Sequence, residues 1–228
     1  MKKNNHFAII ITAKKYNNIL SKALKAIYKQ TVLPQQLIIV LAETGKIIIP
    51  KNIQSRVVYS KIKNQVHQRT IGLKFLDKKI KIILQLDDKI ILEKNSIKFL
   101  LEEWKNTDNN TAGIALNPKN YVRPKTNFFH YLTLTNSNID GKILPSGFAN
   151  GWSEIKKNRK MDWLNGGMTS WKLKLIPQIY KRNFPILKWS VCEDLFFSYN
   201  VSKKYKLILS SKSKAKIILK KSKINVFE

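Results

Sequence analysis

The sequence predicts an α/β protein: a mostly parallel central sheet flanked by helices, with a small antiparallel portion in the C-terminal half. Short continuous apolar runs bounded by charge or turn residues, such as Phe7-Ala8-Ile9-Ile10-Ile11 and Leu84-Gln85-Leu86, read as covered strands. These runs alternate with stretches of helical period, the rhythm of a parallel sheet with crossover connections. From Asn117 to Lys160 the rhythm breaks into aromatic- and glycine-containing segments, which places the antiparallel pieces there.

Phe7 to Thr12 is the first strand. Asn17 or Asn18 caps a helix whose Leu20, Ala23, Leu24, Ile27 and Tyr28 form one apolar stripe. Gln30-Thr31-Val32-Leu33-Pro34 closes it, because proline disfavours helix at the residue before it. Gln36 to Leu41 is a second strand and Arg56 to Ser60 a short third. Gln65 to Leu76 has helical spacing through Val66, Thr70, Leu73 and Leu76. The charged stretch from Lys78 leads into a strand that stops abruptly at Asp87-Asp88. A helix over Asn95 to Lys105 presents Ile97, Leu100, Leu101 and Trp104, and Thr111 to Leu116 is the next strand. A last helix lies between Cys192 and Lys204, a strand at Lys206 to Leu209, and a Lys-rich tail with the apolar run Ile217-Ile218-Leu219 follows.

At 228 residues, 43% hydrophobic and 10% aromatic, the chain suits one domain with a substantial core. No run approaches the roughly 18 apolar residues of a membrane span, and the N-terminal apolar stretch is too short for a secretory signal. The single Cys192 excludes an internal disulfide and a cysteine-rich zinc site, and suits a reducing cytoplasm. His6, His67 and His130 lack ligand spacing. The formal charge of +29 invites a nucleic-acid reading, but only Arg56, Arg69, Arg123, Arg159 and Arg182 are arginines. Base reading favours bidentate arginine, so no specific nucleic acid is expected. The lysines read as a solvated basic surface, or as a face turned to an anionic membrane or polyanionic glycan.

Acids are scarce, 14 in all, yet three adjacent pairs occur. Glu102-Glu103, late in a helix, reads as a solvated face. Asp87-Asp88 sits at a strand end, the place where open α/β sheets bind ligands. It reads either as turn and cap acids or as ligands of Mg²⁺ or Mn²⁺, which needs only one or two protein carboxylates when phosphates supply the rest. Ser190-Val191-Cys192-Glu193 matches a capping box, giving Glu193 a structural duty. Asp194 is then either a helix-dipole acid or a group projecting into a cleft.

In this order the motifs resemble glycosyltransferase family 2, with its GT-A fold. The opening strand-helix-strand through Val40, Gln68-Arg69-Thr70-Ile71-Gly72, Leu86-Asp87-Asp88-Lys89-Ile90, Asp162-Trp163-Leu164-Asn165-Gly166-Gly167 and Glu193-Asp194 carry the resemblance. It implies an inverting transfer of a sugar from a nucleotide-diphosphate donor to a hydroxyl acceptor. By position, Thr12, Glu43, Arg69, Asp87 and Asp88 fall on the donor side, with Asp87 and Asp88 holding a divalent cation, Mg²⁺ or Mn²⁺. Trp163, Gly166, Gly167 and Glu193 fall on the acceptor side, and Asp194 is the base. Two positions depart from the family pattern. Lys89 stands where a third acid is usual, and the second strand ends in Leu41-Ala42-Glu43-Thr44-Gly45 rather than an acidic cluster.

The expected organisation is one domain over 1–228: a donor half to about 116, an acceptor half over about 117–209, and a basic tail from about 210. Its expected partners are a nucleotide sugar, a glycan or lipid-linked acceptor, and the anionic inner face of a membrane touched from the cytoplasm. The expected role is synthesis of a surface polysaccharide or related glycan. The rival readings are a polyanion or nucleic-acid binding module, for which the charge argues, and an inactive sugar-nucleotide-binding relative, for which Lys89 argues.

Overall fold

A computed structural model describes residues 6–49, 52–176 and 192–218. Ser190, Val191 and Leu219, which the capping and tail readings invoke, lie outside the described residues. The sheet contains β1 (Phe7–Ala13), β2 (Gln36–Leu41), β3 (Gln54–Tyr59), β4 (Ile82–Asp87), β5 (Ile90–Leu92), β6 (Thr111–Pro118), β7 (Arg159–Lys160), β8 (Met168–Lys172) and β9 (Lys206–Ile217). Its order is β3-β2-β1-β4-β8-β6-β9-β5, with β7 pairing β9. The first four are mutually parallel, and β8 enters antiparallel between β4 and β6. This is the expected architecture, a mostly parallel sheet with antiparallel strands contributed by the C-terminal half.

The central strands β1 and β2 are buried along their whole length, which explains their unbroken apolar sequence. Alternate side chains build two cores. Phe7, Ile9 and Ile11 pack with α1 (Asn18–Tyr28) and α3 (Ser96–Asn106) on one face. Ala8, Ile10, Ile38 and Val40 pack with Trp171, Phe197 and Val201 on the other. The cap of α1 is Asn17, whose side chain accepts from the N–H groups of Ile19 and Leu20, each at 2.9 Å. Leu20, Ala23, Leu24 and Ile27 are its buried stripe, and Ile97, Leu100 and Trp104 are that of α3.

Two elements depart from the sequence expectation. The helix α2 (Gln65–Leu73) stops short of Leu76 in a tight turn, and its buried residues are Gln68, Arg69 and Gly72, not the Val66–Leu73 stripe. A polar face turns inward because it meets backbone carbonyls and carboxylates at strand ends, while Gly72 lets the helix lie close on Ile10 and Val40. β9 also continues past Leu209 to Ile217, so residues 210–217 belong to the sheet. Their Ser and Lys content hides an alternation in which Ser213 and Ala215 point inward and Lys212 and Lys216 outward. The segment between β6 and β8 is mostly irregular, with α4 (Phe128–Leu132) and an isolated bridge pairing Ile143 with Ala149.

Candidate active site

The chain runs from β1 to β2 and β3 on one side, then returns to β4 on the other side of β1. Connections diverge from the carboxyl ends of β1 and β4, and that divergence opens the crevice where such sheets take ligands. Thr12 and Asp87 are register partners there. Thr12 is buried, whereas Asp87 keeps a third of its side-chain surface exposed.

Helix α2 covers this end of the sheet with the polar stripe Gln65, Gln68, Arg69. Gln68 donates to the carbonyls of Ala13 (2.8 Å) and Val40 (3.2 Å), tying the helix to the ends of β1 and β2. Gln65 donates to the Asp87 carboxylate and, at 3.5 Å, to Thr12 Oγ1. Arg69, only 2% exposed, donates from Nη2 to Asp87 Oδ1 (3.0 Å) and from Nη1 to Glu193 Oε1 (3.3 Å). One buried guanidinium thus joins the end of β4 to the start of α5 (Glu193–Ser202).

The loop entering β8 completes the arrangement. Asp87 N–H donates to Gly167 O (2.9 Å), and Gly166 N–H donates to Asp194 Oδ2 (3.1 Å). Two successive glycines therefore span the space between Asp87 and Asp194. A Cβ at Gly166 would stand 2.4 Å from Arg69 Nη1, and one at Gly167 would stand 2.4 Å from Asp87 Oδ2. Neither neighbour is free to yield, since each is held by the ion pair. Gly167→Ala is expected to lower stability by about 1–3 kcal/mol, the usual range for overpacking. Thermal unfolding measures it, and a midpoint within a degree or so of wild type would show that the Asp87 carboxylate is not held there.

Helix α5 begins at Glu193. Cys192 is its N-cap in the left-handed region (φ 62°) and gives no side-chain cap. Glu193 is therefore the first helical residue, not the third as a capping box from Ser190 requires, and its duty is the ion pair with Arg69. Ser198 fastens the helix to the loop, its Oγ accepting from Leu164 N–H (3.0 Å) and donating to Asp194 O (2.6 Å). Burial pushes the Glu193 carboxyl up from its ordinary range and neighbouring Asp194 adds to the shift, while Arg69 opposes both.

The fold gathers Arg69, Asp87, Gly166, Gly167, Glu193 and Asp194 into one place, and Asp88 occupies the two-residue turn that follows Asp87. Arg69, Gly166, Glu193 and Asp194 line a narrow crevice between α2, α5 and the glycine loop. A roomier hollow of about 790 Å³ between the start of α3 and β9 is lysine-rich and contains none of these residues. Glu43 lies beyond the end of β2, paired with Lys63 (3.0 Å) and Lys14 (3.6 Å); the Lys63 hydrogen bond holds its carboxyl below the usual range. Trp163 packs edge-on against Trp152 and donates from Nε1 to Asn150 O (2.9 Å). Gln65 and Gln68 had no expected site role, although Gln65, Gln68, Arg69 and Gly72 recur at helical spacing and a polar stripe of that period was the available signal.

Four carboxylates, those of Asp87, Asp88, Glu193 and Asp194, share this region with one buried cation, Arg69, and the exposed Lys89. Such an excess repels a bare diphosphate and suits a divalent cation. Among the described residues no three His, Cys, Asp or Glu side chains cluster as a self-sufficient metal cage. Two adjacent hard oxygen donors fit Mg²⁺ or Mn²⁺ where substrate phosphates complete the shell.

No protein-family model and no curated protein matches the chain. Solved structures do. Residues 1–349 of TarS from S. aureus align over 92% of this chain and 60% of that one, at 13% identity and TM-score 0.61. The mannosyltransferase PcManGT from Pyrobaculum calidifontis, in complex with GDP-Man and Mn²⁺, aligns over 96% and 58%, at 13% identity and TM-score 0.59. GalNAc-T7 with UDP, GalNAc and Mn²⁺ aligns over 94% and 44%, at 12% identity and TM-score 0.66. The chain thus spans between 44% and 60% of the length of these structures. Its fold is GT-A, the fold of nucleotide-sugar transferases.

Proposed function

We propose that the chain is a glycosyltransferase of the family 2 type that moves a sugar, with inversion, from a nucleotide-diphosphate donor to an acceptor hydroxyl. The observation that carries this reading is the bridge from Asp87 through Gly167 and Gly166 to Asp194. It sets a strand-end acid pair suited to a cation and diphosphate beside a second acid that is suited to proton transfer. The glycosyltransferase neighbours, two of them described with Mn²⁺, support the same class.

In this reading Asp194 takes the proton of the acceptor hydroxyl as the hydroxyl oxygen bonds to the anomeric carbon. The bond from that carbon to the diphosphate oxygen breaks, and its electron pair leaves with the diphosphate. Asp87 and Asp88 would hold the divalent cation, which would supply Lewis-acid stabilisation of a diphosphate leaving group. Arg69 keeps Asp87 and Glu193 in place, and Gly166-Gly167 admit the sugar close to backbone. Thr12 and Glu43 complete the donor side, and Trp163 borders the acceptor side. The acceptor is a glycan or lipid-linked glycan, in surface polysaccharide synthesis at the cytoplasmic face of an anionic membrane. Among the described residues no helix is long and apolar enough to cross a membrane.

A thermal-shift panel of nucleotide sugars with and without Mn²⁺ tests the reading. One donor with Mn²⁺ is expected to raise the unfolding midpoint, and at a ligand concentration of about 100 Kd the stabilisation is about 2.7 kcal/mol. Asp88→Ala should abolish most of that rise while leaving the ligand-free midpoint near wild type. A rise that persists in Asp88→Ala, or that follows any polyanion and fades with salt, would instead mark a general anion binder.

A further inference from the structure

Between β6 and β8 the chain displays apolar side chains that the fold leaves uncovered. The helix α4 has no buried residue, and Phe128, Phe129 and Leu132 are 73%, 71% and 70% exposed. The helix is nevertheless well defined. Asn127 and His130 form a capping box, with the Asn127 side chain accepting from His130 N–H (2.9 Å) and His130 Nδ1 accepting from Asn127 N–H (3.2 Å). The cap fixes the start of the helix while its apolar side chains stay outside either core.

Further exposed apolar side chains belong to the same segment. Phe128 and Phe129 lie with ring centroids 6.0 Å apart. Ser146 donates to Leu134 O, which brings the 144–148 turn and its exposed Phe148 to the end of α4. Asn150 donates to Ser137 Oγ (2.6 Å) and Ile139 O (2.8 Å), which adds the exposed Ile139. Single exposed apolar residues are ordinary, but several large ones exposed in one segment, two of them adjacent rings, mark an interaction surface.

Charge selects the occupant. From Asn117 to Lys160 the chain carries eight Lys and Arg residues against two acids, Asp140 and Glu154. Lys125, three residues before Phe128, is exposed. A second copy of the chain brings the same +29 charge and is repelled. Lys119, Arg123, Lys142 and Arg159 are ion-paired within the chain, and the exposed Lys125, Lys156, Lys157 and Lys160 leave the segment positive. Exposed aromatic and leucine side chains in a segment of net positive charge match the interfacial layer of an anionic bilayer. We infer that α4 and the 144–148 turn dock onto an anionic lipid surface, with Phe128, Phe129 and Leu132 entering it. The same unit is fastened to the candidate site: Trp163 donates to Asn150 O, and Asp162 N–H donates to Gly141 O (2.9 Å). Docking therefore couples the segment that leads into Gly166-Gly167 to the membrane, from which a lipid-linked acceptor would come.

Co-sedimentation of the full chain with vesicles tests this docking. Binding is expected to vesicles of phosphatidylcholine with about a third phosphatidylglycerol, and to be much weaker with phosphatidylcholine alone. Phe128→Ser with Phe129→Ser should weaken binding to the anionic vesicles about tenfold or more, since two rings lose their insertion into the apolar layer. The thermal midpoint should not change, because both rings are already in water; if the double variant fails to fold, Leu132→Asn carries the test. Three outcomes overturn the proposal: no binding by wild type, unchanged binding by the variant, or lipid-free self-association of wild type that the variant abolishes. Donor binding to Asp88→Ala is measured without vesicles, so either reading can fail while the other stands.

Discussion

Arg69→Met is expected to lower the thermal midpoint by about 9 °C, the largest stability effect of any single change at the candidate site. Removing one member of a buried ion pair costs about 3–5 kcal/mol. Here Asp87 retains a third of its side-chain exposure and can rehydrate, so the lower end, about 3 kcal/mol, applies. A domain of this size loses about 2–4 °C per kcal/mol. Methionine keeps much of the volume and removes the charge, which separates electrostatics from packing.

The pH dependence of that effect has a definite sign. Glu193 is shifted upward in the folded state, chiefly by burial and then by Asp194, so the native protein holds this proton more tightly than the unfolded chain does. Its contribution to stability is therefore greatest below the ordinary carboxylate range and declines as pH rises through the raised value. Arg69 opposes the upward shift, so its loss pushes the Glu193 carboxyl higher and extends the decline to higher pH. The gap in stability between wild type and Arg69→Met should narrow as pH falls through the raised Glu193 range and Glu193 takes up its proton. Denaturant melts across that range measure it. A gap independent of pH would mean that Arg69 acts through its aliphatic stem alone.

Asp194→Asn is expected to lower turnover by about 10²–10⁴-fold, the range for a lost general base. The exchange is nearly isosteric: the amide oxygen can still accept from Gly166 N–H and keep the loop in place, and the bond given up is the local one from Leu195 N–H. Stability and donor-dependent thermal shift should both remain close to wild type. Formation of nucleoside diphosphate in the presence of acceptor reports the rate. Turnover equal to wild type would remove Asp194 from the proton-transfer role. A wild type that binds a donor with Mn²⁺ but never turns over would identify an inactive relative, the possibility that Lys89 raises.

Much of this arrangement was legible in the sequence because local patterns carry it. Covered strands carry long apolar runs, and β1, β2 and the start of β4 have them. The helices α1 and α3 bury apolar stripes at the expected spacing, and Asn17 caps where a cap was expected. Helix α2 defeated the same logic. Its inward face is polar because its partners are strand-end carbonyls and a carboxylate, and periodicity in hydrophobicity is blind to such partners. The continuation of β9 was hidden for a related reason: Ser213 is buried at 0% exposure with its Oγ donating to Ser96 O (2.9 Å), so a small polar residue serves as a core residue. In Glu193, a plausible local motif yielded to a tertiary one, the pair with Arg69.

By itself, then, the sequence determined the succession of strands and helices and the local setting of each acid, since solvent contact and backbone preference act over a few residues. Only the tertiary structure decided that Asp87 and Asp194 are joined through two successive glycines, with Arg69 holding the frame. That outcome depends on β8 entering antiparallel between β4 and β6, a pairing of distant segments set by burial over the whole sheet.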